Sequence, residues 1–166
     1  MKWRTSHKYD REALPLADRH YSRQKPGTPQ FVPPGRSVVL VAGRPVRALW
    51  VSLLQLPEWT KHAWPGAWMC SLFRNEGAGL SSELVREAIA ATRWVWGDPP
   101  AVGMVTFVDA GKVRRKRDPG RCFLRAGFKV VGRTKDRGLH VLQLMPDAFP
   151  AADQPIGLVG HLWSAR

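Results

Sequence analysis

The stretch from Trp68 to Val95 constrains the chain more than any other. Trp68 to Phe73 is a short apolar run of strand length. Arg74-Asn75-Glu76-Gly77-Ala78-Gly79 follows, a turn with two glycines. From about Ser81 the apolar spacing becomes helical: Leu84, Val85, Ala88, Ile89 and Ala91 share one face, with Glu83, Arg86, Glu87 and Arg93 on the other. Strand, glycine turn and helix is a geometry that grips phosphates. Glycines let the backbone approach closely, and the free N–H groups of a helix start face the ligand with the positive end of the dipole. An ordinary strand-to-helix turn has the same appearance. The spacing is neither the six-residue dinucleotide fingerprint nor the P-loop, because no Gly-Lys-Ser/Thr follows.

The other elements fall around this unit. Residues 1 to 9 suit an edge strand or a basic arm. Asp10 to Ser22 reads as a helix with Asp10 as N-cap and an irregular start at Pro15. Gln24 to Arg36, with four prolines and two glycines, is a loop. Ser37 to Ala42 and Pro45 to Leu54 read as strands joined by a tight Gly43-Arg44 turn. Residues 55 to 67 form a connection holding Trp59 and Trp64, which suit either stacking on unstacked bases or closing the core. Ala101 to Asp109 is an apolar strand, buried on both faces. Arg121 to Ala126 is a short helix ending at Gly127. Phe128 to Arg133 and Leu139 to Leu144 form a last hairpin, and the tail after Met145 has little regular structure. The expected fold class is α+β, an α/β three-layer arrangement. It forms one domain over residues 1–166, with a core near 37–145, an N-terminal helix and loop, and an irregular tail from 146 to 166.

Charge narrows the partners. The 26 Lys and Arg against 13 Asp and Glu give a formal charge of +13. That excess favours a polyanion, nucleic acid first and an anionic cofactor second. It is concentrated where the apolar strand ends: five of the six residues from Lys112 to Arg117 are basic. Lys112, Arg114, Arg115, Lys116, Arg117 and Arg121 are therefore the candidate DNA contacts. A solvated loop is the plainer reading. No apolar run is long enough for a membrane, and Met1-Lys2-Trp3-Arg4 lacks a signal-peptide h-region, so a cytoplasmic protein is expected. Cys70 and Cys122 suggest reduced thiols, and no Cys/His cluster has zinc spacing.

Arg74-x-x-Gly77-x-Gly79 resembles the acyl-CoA pyrophosphate loop of the GNAT acyltransferase superfamily. The order of elements is similar to that fold, with its mixed central sheet and flanking helices. The segment FLRAGFKVVGRT…GLHVLQL looks like the superfamily's closing module. A narrower resemblance is carried by His20-Tyr21-Ser22, by Phe73-Arg74-Asn75-Glu76, and by Val108-Asp109 with Lys112-Val113-Arg114, Asp118-Pro119-Gly120-Arg121-Cys122-Phe123 and Ala126-Gly127-Phe128. These look like the Mom-type bacteriophage DNA-modification proteins, which modify the exocyclic amine of adenine and so shield phage DNA from restriction. The resemblance implies acetyl-CoA or a related acyl donor held by Arg74, Asn75, Gly77, Gly79, Ser81 and Ser82, with double-stranded DNA as acceptor. The two serines also suit simple helix capping. Leu80-Ser81-Ser82-Glu83 departs from the small and aliphatic residues that usually follow the last glycine. In most relatives a tyrosine four residues before the closing Gly-Phe serves as acid, and here Phe123 stands there.

His20 and Tyr21 are the candidate replacements for that acid, and Asp109 is the candidate base or orienter of the amine. Each has a structural alternative: a helix C-terminal histidine, a core tyrosine, a capping aspartate. Either cysteine could be a nucleophile, but packing cysteines are commoner. Adenine's exocyclic amine is a poor nucleophile and must leave the base stack, so a basic groove and aromatic platforms are expected. Three functions compete: a DNA-adenine transferase, a conventional N-acetyltransferase of a small amine or protein, and a non-catalytic nucleic-acid-binding domain. A monomer or a dimer is equally compatible with the sequence.

Overall fold

The computed structural model describes residues 1–113 and 118–157. Its backbone is one open seven-stranded sheet in the order β1-β2-β3-β4-β5-β7-β6. The strands are β1 (Arg4–Ser6), β2 (Gly35–Ala42), β3 (Ala48–Gln55), β4 (Trp68–Asn75), β5 (Met104–Val108), β6 (Lys129–Arg133) and β7 (His140–Leu144). All neighbours are antiparallel except β4 and β5, which are parallel. That one parallel pair needs a long crossover. Helix α2 (Ser81–Trp96) supplies it.

Helices cover both faces. Leu84, Val85, Ala88, Ile89 and Ala91 of α2, together with Phe123 of α3 (Arg121–Arg125), bury against Trp50, Trp68, Met104 and Leu142. On the other face Leu16 and Ala17 of α1 (Leu14–Asp18) pack with Phe31, Leu49, Val51, Leu53, Met69 and Leu72. The first layer contains a buried polar chain. Trp50 Nε1 donates to Ser52 Oγ at 2.7 Å, Ser52 Oγ lies 2.7 Å from Thr92 Oγ1, and Thr92 Oγ1 donates to the Ala88 carbonyl at 2.8 Å. It ties β3 to α2 with every polar atom partnered, the condition for burying such groups.

Several boundaries differ from the sequence reading. The first helix is five residues, not thirteen. Asp10 Oδ1 accepts from the amides of Glu12 and Ala13 and makes a turn of the expected first turn of helix. At the other end the Asp18 carboxylate accepts from Arg23 Nε and the Gly27 amide, folding residues 19–27 back as a loop. The connection of β2 to β3 is five residues, 43–47, rather than two, and β3 starts at Ala48. The ladder closes at Ala42 opposite Ala48, with the Arg47 amide on the Ala42 carbonyl, and Pro45, which has no N–H to donate, falls within the turn. β2 begins two residues early, at Gly35. β5 begins at Met104 because Gly103, at φ +65°, closes a turn with its N–H on the Pro100 carbonyl. The edge strand β1 forms as expected, and α2, α3 and the last hairpin lie where periodicity put them.

Candidate functional site

β4 and β5 pair only over Trp68–Cys70 and Met104–Thr106. β4 then runs on to Asn75, bonded to β3 alone. Between Cys70 and Leu72 the register with β3 shifts: Val51 pairs with Leu72 and Ser52 with Cys70, leaving Ser71 as a bulge. The gap where the strands part is a cleft of about 400 Å³. It collects residues far apart in sequence, among them His20, Tyr21, Asn75, Ser81, Arg121 and Cys122.

Tyr21 bridges the gap. Its hydroxyl donates to the Phe107 carbonyl at 3.1 Å and faces the backbone N–H of Asp109. In a parallel ladder these are the carbonyl and amide that one residue of the neighbouring strand bonds. Tyr21 thus stands in for the β4 residue that has moved away. Burial pushes the phenol up to about 12, so it stays protonated. His20 stacks on it with ring centroids 4.3 Å apart. Burial, helped by the Arg74 guanidinium, lowers the imidazole to about 4. His20 is therefore neutral at ordinary pH. Its Nδ1 accepts from the Ser22 amide at 3.2 Å, which puts the proton on Nε2.

The glycine turn is occupied by its own side chain. Asn75 Oδ1 accepts from the amides of Gly77 (3.1 Å) and Ala78 (2.9 Å), and its Nδ2 donates to the Gly79 carbonyl (2.8 Å) and to Ser81 Oγ (2.9 Å). Gly77 and Gly79, at φ +97° and +150°, adopt backbone that other residues avoid, which explains both glycines without a ligand. Two cations flank the turn. Arg47 Nη1 and Lys2 Nζ come within 3.8 Å and 2.7 Å of where side chains at Gly77 and Gly79 would begin. Neither was singled out in the sequence, since each lies on a different segment. Helix α2 starts at Ser81 with no side-chain cap. Ser82, the other expected contact, is buried.

Arg74 points the other way. Its Nε bonds Glu76 Oε1 at 2.5 Å and its Nη1 donates to the Arg19 carbonyl at 2.7 Å. Arg19 in turn grips Glu76 through two bonds of 2.8 and 2.7 Å. The three residues form a clasp between the end of β4 and the chain leading to His20. Hydrogen bonds from Arg19 and then Arg74 hold the Glu76 carboxyl down at about 2. Alternation along β4 explains the division. Leu72 and Arg74 share the α1 side, Phe73 and Asn75 the α2 side.

Asp109 lies just past β5, where its Oδ1 accepts the Gly111 amide at 3.0 Å and its carbonyl accepts from Lys112 and Val113. It caps this turn and does not line the cleft. Lys112 is exposed on the same turn. Arg121 lines the cleft and pairs loosely with Asp118 at 3.8 Å. Arg114, Arg115, Lys116 and Arg117 lie outside the described residues. Cys70 is buried with the Thr106 hydroxyl and Leu72 amide alongside, and burial drives its thiol strongly upward, away from a reactive thiolate. Phe123 sits among Trp50, Phe73 and Phe128 as part of the core and has no proton to offer. Among the described residues no group of three or more His, Cys, Asp or Glu side chains is gathered to hold a metal ion. Among the described residues no helix is long and apolar enough to cross a membrane.

Comparison with protein-family models, with curated proteins and with solved structures finds no match to this chain.

Proposed function

We propose that this chain is a GNAT-like group transferase that modifies the exocyclic amine of adenine in DNA, a Mom-like activity. The observation that carries the reading is the parting of parallel β4 and β5 beside a cleft that gathers His20, Tyr21, Ser81 and Arg121. A strand edge released in this way presents backbone groups to a bound carbonyl, where amides stabilise developing negative charge. The net charge of +13 suits DNA phosphates, and Arg121 and Arg137 line the cleft itself. In this reading His20, neutral and protonated on Nε2, orients the acceptor as a hydrogen-bond donor. Tyr21, protonated and spanning the gap, is the acid of this reading. Asp109 shapes the turn that leads into the basic segment.

An acyl carrier such as acetyl-CoA is the donor class suggested by the resemblance. Its pyrophosphate does not fit the glycine turn, since Asn75 holds the amides of Gly77 and Ala78 and Arg74 is committed to Glu76. The groups left for an anionic donor are the uncapped start of α2 with Ser81, and the cations Lys2 and Arg47.

The test is mass analysis of nucleosides from DNA of a bacterial host expressing the protein. A new, heavier adenine nucleoside is expected; standard nucleosides alone would remove the transferase. The filled turn and Phe123 favour a second reading, a DNA-binding domain without catalysis. Salt-sensitive duplex binding with unmodified nucleosides would mark that outcome.

A further inference from the structure

Beside the cleft lies a second cavity, of about 730 Å³. The two share a wall made of Met69, Phe107, Arg137 and Leu139. Residues 55–64, after β3, line one side and the β6–β7 hairpin tip the other. The lining joins two kinds of side chain. Trp59, His62 and Trp64 contribute aromatic rings, and Lys61, Arg133, Lys135 and Arg137 contribute cations.

Core packing accounts for one edge of Trp64, which lies against the α1-side core, but not for Trp59 or the cations. Trp59 is 54% exposed, in a chain that buries Trp3 and Trp50 completely. Trp64 is half-buried and lies over Gly132, where β6 offers it no side chain. His62 fills the space between Trp64 and Phe107, at 6.4 and 5.4 Å between ring centroids. Among the described residues, none of the four cations has a carboxylate partner, although Asp136 lines the same cavity.

An exposed indole and two half-buried rings beside cations without carboxylate partners select a ligand that is both planar and polyanionic. A small amine or a basic peptide is neither. A nucleic-acid strand with one base unstacked is both: the base supplies a π-face and the flanking phosphates supply charge. We infer that this second cavity seats an unpaired nucleobase against Trp59 and Trp64, with its neighbouring phosphates held by Lys61, Arg133, Lys135 and Arg137. A strand held there runs along the Phe107 wall and into the β4–β5 gap. The inference rests on the DNA reading above and deepens it: the acceptor is a base already out of its pair, in a single strand or extruded from a duplex.

Fluorescence anisotropy of the full chain with a labelled single-stranded oligonucleotide about ten residues long tests this, that length lying within the footprint of single-strand binding grooves. The control is the same strand with its central positions abasic, which keeps the phosphates and removes the rings. The wild type should prefer the base-bearing strand by about ten-fold or more, the lower range for base–aromatic stacking. Trp59→Ala, at a half-exposed site where folding is not at stake, should remove most of that preference. Arg133→Gln with Lys135→Gln should weaken both strands alike and flatten the salt dependence. Equal wild-type affinity for the two strands would overturn the base pocket and leave a charge-only DNA surface. An undiminished preference in Trp59→Ala and Trp64→Ala would overturn this location. Failure to bind single strand or duplex at low salt would remove the DNA reading itself.

Discussion

From Trp68 to Cys70, β4 is paired with β5, and Met69 and Cys70 are paired with β3 as well; from Leu72 to Asn75 it is paired with β3 alone. In the first half the side chains are sealed. Trp68 meets Trp96 and Phe149 edge to face, and Cys70 is buried. In the second half the ladder is replaced piece by piece by side chains. Tyr21 takes the backbone groups of Phe107 and Asp109, and Asn75 takes the amides of the glycine turn. Closing a sheet is core work and falls to apolar surface. Holding it open leaves backbone polar groups that must find other partners. The residues that do this in the open half are the same ones that line the cleft.

Trp68→Ala attacks the closed side and should have the largest effect. Trp68 is buried, and its contacts with Trp96 and Phe149 seal this half. A loss of about 3–5 kcal/mol is expected in urea unfolding. A loss under about 1 kcal/mol would mean that the closed half is not what stabilises the sheet. Tyr21→Phe attacks the open side. It removes one hydroxyl and leaves the Phe107 carbonyl without its donor, worth about 1–3 kcal/mol. Adenine modification should fall by about 10²-fold, a typical effect of losing a group that handles a proton. Wild-type modification with only the stability loss would reduce Tyr21 to a pin for the gap.

Glu76→Gln should have the smallest effect, and it separates the clasp from both halves. The Glu76 carboxyl is lowered from its ordinary 4.5 to about 2 by Arg19 and Arg74. A depressed folded value adds stability above the unfolded value, and the gain is lost as pH falls toward the folded one. The wild type should exceed the variant by up to about 1 kcal/mol at neutral pH, because the partly exposed site is screened. The difference should shrink between about pH 4.5 and 2, as followed by unfolding at each pH. A constant difference across that window would place the contribution of Glu76 elsewhere.

What the sequence reveals follows the range of the forces involved. Helix α2 is legible because five inward residues, Leu84 to Ala91, repeat at helical spacing, and the structure buries all five completely. The mixed sheet is legible in outline from short apolar runs broken by glycine and proline. The first helix was overestimated because the carboxylates of Asp10 and Asp18 bond nearby backbone in competition with helix. Asn75 illustrates a harder limit. A turn that offers amides to a phosphate and a turn that offers them to its own asparagine have one and the same sequence. His20 and Tyr21 line the cleft at the β4–β5 gap, a placement that their position at a chain bend some fifty residues before β4 does not reveal. The second cavity is built from a connection and a hairpin tip some seventy residues apart, so spacing alone does not bring Trp59 and Arg137 together.

The single extra residue at Ser71 has a long reach. Met69 and Leu72, three positions apart, enter the same side of the sheet because of it. Everything downstream inherits that phase. Were Ser71 taken up as an ordinary rung of the ladder, every later residue would change side, turning the guanidinium of Arg74 to the start of α2 and the amide of Asn75 to Arg19. Excising Ser71 would instead leave Leu72 opposite Val51 and the far end of the strand as it is. Whether that turn is open or shut to an anion thus depends on one residue held out of the ladder upstream, and not on the chemistry of the turn alone.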